Sequence, residues 1–124
     1  MAELAFHAMP LVAIKNMLLA EDMDRAVRFY TEVFGLSPSM ISEYWSELTW
    51  GDTIVALHGG HDRSKNATTL SLQVSDIQAS MASIIQAGGA AVIAPVQREG
   101  EPILYSEFQD PEGNVVMMTQ YVGE

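Results

Sequence analysis

Residues 18–35, LLAEDMDRAVRFYTEVFG, hold a complete change of backbone state. The first letters close an apolar run over residues 12–20, VAIKNMLLA, which reads as a strand, and Glu21-Asp22 end it. Beyond them Ala26, Val27, Tyr30, Val33 and Phe34 recur at helical spacing. Asp22 carries the short acceptor side chain of an N-cap, and Gly35 stands where a left-handed residue ends a helix. The segment is a strand feeding a capped helix. Residues 39–50 continue as extended chain, and Gly51-Asp52 make a tight turn before TIVALH at residues 53–58.

The same order returns downstream. Residues 69–74, TLSLQV, form a strand, Asp76 caps a helix with Ile77, Met81, Ile84 and Ile85 on its apolar face, and Gly88-Gly89 stop it. Residues 90–97 and 103–109 are extended, Asp110-Pro111-Glu112-Gly113 has type I turn chemistry, and residues 114–121 close the unit. Under a 54-residue shift Leu18 falls on Leu72, Asp22 on Asp76, Val27 on Met81, Tyr30 on Ile84 and Gly35 on Gly89. The pattern predicts an α+β fold: two βαβββ modules in tandem, forming a cleft between curved mixed sheets. The 124 residues make one domain, with module one at about 12–58, a polar linker at 59–67 and module two at about 68–122.

Composition narrows the chemistry. No cysteine means no disulfide, no thiolate nucleophile and no zinc–thiolate site. Sixteen acidic against six basic side chains give a net charge of -10, which repels nucleic acid and favours neutral or cationic partners. No apolar run is long enough to span a membrane, and residues 1–10 lack a secretion leader's pattern, so a cytoplasmic protein is expected. Gly59-Gly60 and Gly88-Gly89 match neither a P-loop nor a dinucleotide fingerprint.

Taken in order, Leu19-Ala20-Glu21-Asp22-Met23, Ala26-Val27-Arg28-Phe29-Tyr30, Val33-Phe34-Gly35-Leu36, Leu72-Gln73-Val74-Ser75-Asp76-Ile77 and Phe108-Gln109-Asp110-Pro111-Glu112-Gly113-Asn114 resemble the vicinal oxygen chelate superfamily. That group holds glyoxalase I, extradiol dioxygenases, fosfomycin-modifying enzymes and bleomycin-resistance binding proteins. The resemblance implies a divalent metal bound by His or Glu on the first and fourth strands of each module. In this sequence those four places fall on Lys15, Ala56, Thr69 and Met117, none a usual ligand for such metals. The expectation is a member with no metal and no other cofactor.

Strand alternation then predicts what lines the cleft: Lys15, Met17, Ala56, His58, Thr69, Ser71, Gln73 and Met117. Trp45, Trp50, Tyr44 and Tyr105 lie on segments that would roof it, where rings clamp a planar ligand, and Glu43, Glu47 and Glu107 are candidates to receive a cation. Lys15 has three readings: a snorkelling strand-end cation, a partner for Glu47, Glu107 or an anionic ligand, and a base of depressed proton affinity. His58 is read as a structural strand-end residue, a hydrogen-bond donor, a proton carrier or a displaced ligand. His58 and His61 flank two glycines, which makes their segment a flexible loop instead of a preorganised metal site. Of eight methionines, Met17, Met40 and Met117 would soften the cleft, while Met23, Met81 and Met118 fill the core.

The expected function is binding, as a homodimer, of a small organic compound, aromatic or cationic, with drug sequestration and antibiotic resistance as its setting. The alternatives are a metal-independent lyase, isomerase or cyclase with Lys15 or His58 as catalytic base, and a metal-dependent glyoxalase or dioxygenase.

Overall fold

A computed structural model describes residues 9–123. Residues 1–8, which hold most of the segment read for a leader, lie outside the described residues, as does Glu124. The order is β1 (Lys15–Leu19), α1 (Met23–Phe34), β2 (Ser37–Met40), β3 (Trp45–Trp50), β4 (Thr53–His58), then β5 (Asn66–Gln73), α2 (Ile77–Gln86), β6 (Ala90–Gln97), β7 (Ile103–Gln109) and β8 (Asn114–Tyr121). Two four-stranded sheets result, ordered β1-β4-β3-β2 and β5-β8-β7-β6. Each is mixed: β1 runs parallel to β4 and β5 to β8, while the other pairs are antiparallel. The chain is two tandem βαβββ modules, as the repeat predicts.

The caps sit where the side chains allow. Asp22 accepts from the Arg25 amide and Asp76 from the Ala79 amide, each supplying an acceptor to a free first-turn N–H. Gly35 adopts φ 72°, and Leu36 N–H returns to the Tyr30 carbonyl, so α1 closes as a left-handed glycine permits. Met23, Ala26, Phe29 and Tyr30 form the buried face of α1, and Ile77, Met81 and Ile84 that of α2. Ile85, expected on that face, is 54% exposed because it falls outside the arc that meets the sheet. One core joins both modules: Leu18, Leu48, Val55 and Leu57 from the first sheet with Phe108, Val116 and Met118 from the second. Phe34 of α1 stacks on Phe108 of β7, ring centroids 5.6 Å apart.

Strand limits differ from the sequence reading, most of all at β1 and β5, and residues 39–50 divide between β2 and β3. β1 starts at Lys15, since Leu11, Val12 and Ile14 are exposed and pair with nothing in the sheet. β5 begins at Asn66, inside the stretch read as linker, because Asn66 pairs with Asn114 of β8. Among the described residues no helix is long and apolar enough to cross a membrane.

The modules are clasped by polar groups from the β7–β8 hairpin. Glu112, its side chain fully buried, accepts from the Glu21 and Asp22 amides at 2.9 Å each and from Arg25 Nε at 2.5 Å. The Asn114 side chain donates to the Leu19 carbonyl at 2.7 Å and accepts from the Leu19 amide at 3.0 Å, taking the place of a neighbouring strand at the end of β1. Asp110 accepts from the Tyr30 hydroxyl at 2.5 Å and from the Glu112 and Asn114 amides.

Candidate functional site

Each sheet has one face against the helices and one open face, and the pairing fixes which residue goes where. In the first module Lys15 is paired with Ile54, Met17 with Ala56 and Leu19 with His58 across β1–β4. On β3, Trp45 pairs with His58 and Glu47 with Ala56, which adds both to the open face. In the second, Ser71 pairs with Met117 and Gln73 with Thr119, while Tyr105 and Glu107 of β7 pair with Thr119 and Met117. Leu70 and Leu72 pack on the core instead, leaving Thr69, Ser71 and Gln73 exposed. Thr69 lies where the β5–β8 register is interrupted.

Trp50 does not join this group. It alternates with Ser46 and Leu48 on the helix-facing side of β3 and is 69% exposed at the strand end. Tyr44 precedes β3 and is also exposed; its carbonyl accepts the Gly59 amide. Glu43 borders an open hollow beside the start of α1, with Asp22 and Ser42.

The open faces carry a motif that the 54-residue shift conceals. Trp45-Ser46-Glu47-Leu48 on β3 and Tyr105-Ser106-Glu107-Phe108 on β7 occupy equivalent places, 60 residues apart. Ser46, Leu48, Ser106 and Phe108 are all fully buried, so the aromatic ring and the glutamate alternate onto the open side in both modules. Trp45 Nε1 donates to Glu47 Oε2 at 2.7 Å, and the Tyr105 hydroxyl donates to Glu107 Oε2. Each glutamate stands directly across from a fourth-strand position that the resemblance assigned to a metal ligand, Ala56 or Met117.

The two pairs differ in charge. Lys15 Nζ meets the same Glu47 oxygen at 2.7 Å and lies 5.6 Å from the Trp45 ring centroid. Hydrogen bonds from Lys15 and then Trp45 hold the Glu47 carboxyl below the usual carboxylate range. Of the three readings of Lys15, the geometry favours the ion-pair partner, since a base would first have to leave Glu47. At Glu107 the chief effect falls on the phenol: its hydrogen bond to the carboxylate raises the Tyr105 pKa, with burial adding to the rise.

These residues do not fit the metal that the resemblance implies. Ala56 has no donor atom, Lys15 is committed to a carboxylate, Thr69 offers a neutral hydroxyl and Met117 a thioether suited to soft ions. Among the described residues no group of three or more His, Asp or Glu converges as a metal site. His58 Nδ1 and His61 Nε2 stand 2.8 Å apart, one ring donating to the other, with no third ligand. Their loop is more constrained than two glycines suggested. His61 N–H bonds to the Ala20 carbonyl and Gly59 N–H to the Tyr44 carbonyl. A Cβ on Gly59 would lie 2.6 Å from the Glu43 carbonyl oxygen, so glycine serves close backbone approach there.

Among similar proteins of known sequence is "Virulence protein STM3117" of Salmonella typhimurium, 27% identical over 117 residues, covering 86% of this chain and 81% of that one. Its crystal structure superposes with a TM-score of 0.65 at 26% identity, covering 94% of this chain and 100% of that chain. A glyoxalase/bleomycin resistance protein/dioxygenase family enzyme from Burkholderia phytofirmans PsJN gives 0.72 at 18% identity, covering 86% and 96% of the two chains. The genomically encoded fosfomycin resistance protein FosX from Listeria monocytogenes gives 0.73 at 10% identity, covering 90% and 94%. At these last identities the likeness shows the fold alone. The family model described as "Glyoxalase-like domain" matches residues 13–119, nearly the whole of both modules, and the chain belongs to that family.

Proposed function

We propose that this chain is a metal-independent binding protein for a small organic compound, aromatic or cationic, which it sequesters without turnover as a cytoplasmic homodimer. The carrying observation is the makeup of the open faces. Trp45, Tyr105, Met17 and Met117 offer ring and thioether surface, while Glu47, Glu107, Thr69, Ser71, Gln73 and His58 offer polar anchors. Apolar contact area with a few fixed polar groups is what an organic ligand requires. The four side chains at the family's metal positions supply no coherent donor set, and Lys15 is tied to Glu47, which argues against lysine base catalysis. The charge of -10 disfavours nucleic acid.

A second copy is invoked because the single chain leaves its faces uncovered. Met17 is 53% exposed, Val96 49% and Tyr121 52%. A partner that covered them would remove this apolar surface from water. The test is a calorimetric and thermal-shift panel of cationic and neutral aromatic compounds against the purified chain. Saturable binding of one class, weakened by Trp45→Ala, supports sequestration; silence across the panel overturns it.

A further inference from the structure

The repeated aromatic–Ser–Glu motif says more about the ligand, provided that the binding reading above holds. Its two copies place a carboxylate at equivalent points of both modules, but only one copy is neutralised. Lys15 serves Glu47 in the first module. Its counterpart under the 54-residue shift is Thr69, which has no charge to offer Glu107. Among the described residues no lysine or arginine forms an ion pair with Glu107. Arg98 lies over the Tyr105 ring at 4.6 Å and pairs with Glu101 at 3.0 Å.

We propose that Glu107, held in place by the Tyr105 hydroxyl, receives a positively charged nitrogen of the ligand, an ammonium, amidinium or guanidinium. The Lys15–Glu47–Trp45 group, already neutral as a unit, receives an uncharged part. Ile93 and Met117 flank Glu107 on the adjoining strands, so the carboxylate sits among apolar neighbours that strengthen an attraction to a cation. The hydroxyl of Tyr105 fixes the carboxylate rotamer before any ligand arrives, which reduces the ordering cost of binding. Arg98 shows that the Tyr105 ring face accommodates a guanidinium, and a ligand cation near Glu107 would have that same kind of surface beside it.

The experiment compares two probes of equal shape, 1-naphthylmethylammonium and 1-naphthalenemethanol, by calorimetry at neutral pH and low salt. The full-length wild type is set beside Glu107→Gln and Glu47→Gln, each checked for an unchanged thermal midpoint. The cation should bind about tenfold more tightly than the alcohol, a usual gain for a charge-assisted hydrogen bond. Glu107→Gln should bring the two probes to equal affinity, while Glu47→Gln should still leave the cation preferred, even where releasing Lys15 from its carboxylate weakens both. Equal affinity of the two probes overturns the proposal while leaving organic-ligand binding intact. A preference that survives Glu107→Gln, or that only Glu47→Gln removes, also overturns it. No binding of either probe at millimolar concentration overturns it too, and the wider panel then decides whether the sequestration reading falls with it.

Discussion

Tyr30 and Asp110 meet in the interior, hydroxyl to carboxylate at 2.5 Å, and both are almost completely buried. Burial raises the Asp110 pKa above its ordinary 3.8, although the hydrogen bonds from Tyr30 and Asn114 pull it down. An acid raised in this way favours its protonated form in the folded chain. Stability is therefore fully present below the ordinary value and declines as pH rises through the raised one. Tyr30→Phe removes a donor and lifts the carboxyl further. We expect a loss of about 1–3 kcal/mol, greater at pH 8 than at pH 5, measured by urea unfolding beside the wild type. An equal loss at both would mean that the hydroxyl matters only for packing. Neither Asp110 nor Glu112 was legible in the sequence as an interior carboxylate. In Asp110-Pro111-Glu112-Gly113 the spacing announces a turn, and turns are normally wet; only the placement of α1 over the hairpin buries them.

At the scale of elements, the local chemistry was largely readable. Asp22, Gly35 and Asp76 mark helix ends by side-chain and backbone properties that require no tertiary context. The limits of β1 and β5 were less so, because strand ends depend on partners distant in sequence. The site repeat was hidden for a simple reason: the offset that aligns the helices is 54, whereas β3 and β7 require 60. Alternation put Lys15, Met17, Thr69, Ser71 and Gln73 on open faces, whereas Trp50, taken as a roof residue because it lies on an extended segment, is put by the pairing on the opposite side. The β7–β8 hairpin carries a further prediction. Gly113 has φ 100°, and a Cβ there would lie 2.5 Å from the Arg63 carbonyl oxygen and 2.6 Å from that of Ser64. Gly113→Ala should cost about 1–3 kcal/mol for the backbone alone, read as a lowered unfolding midpoint, with the steric conflict adding to it. An unchanged midpoint would refute the backbone cost itself, whatever the linker does.

For the whole molecule, the shared core and the exposed open faces point in different directions. Inside, residues from both sheets and both helices form one cluster, so the modules should unfold together. Outside, Ile93 and Val96 pair with Glu107 and Tyr105 and bring apolar surface to the edge of the proposed site. If a second copy covers it, sedimentation should detect a dimer at micromolar concentration, and Val96→Asp should shift the population to monomer. A wild type that stays monomeric at the highest soluble concentration would exclude the dimer. The clasp made by Glu112, reaching from one half to the first turn of the other's helix, has its own consequence. What unites the halves is this handshake and the oily seam beside it, more than the peptide thread between them. Severed at Gly60, the two pieces would still recognise each other, and the tandem gene would be one convenient way of delivering both in equal number.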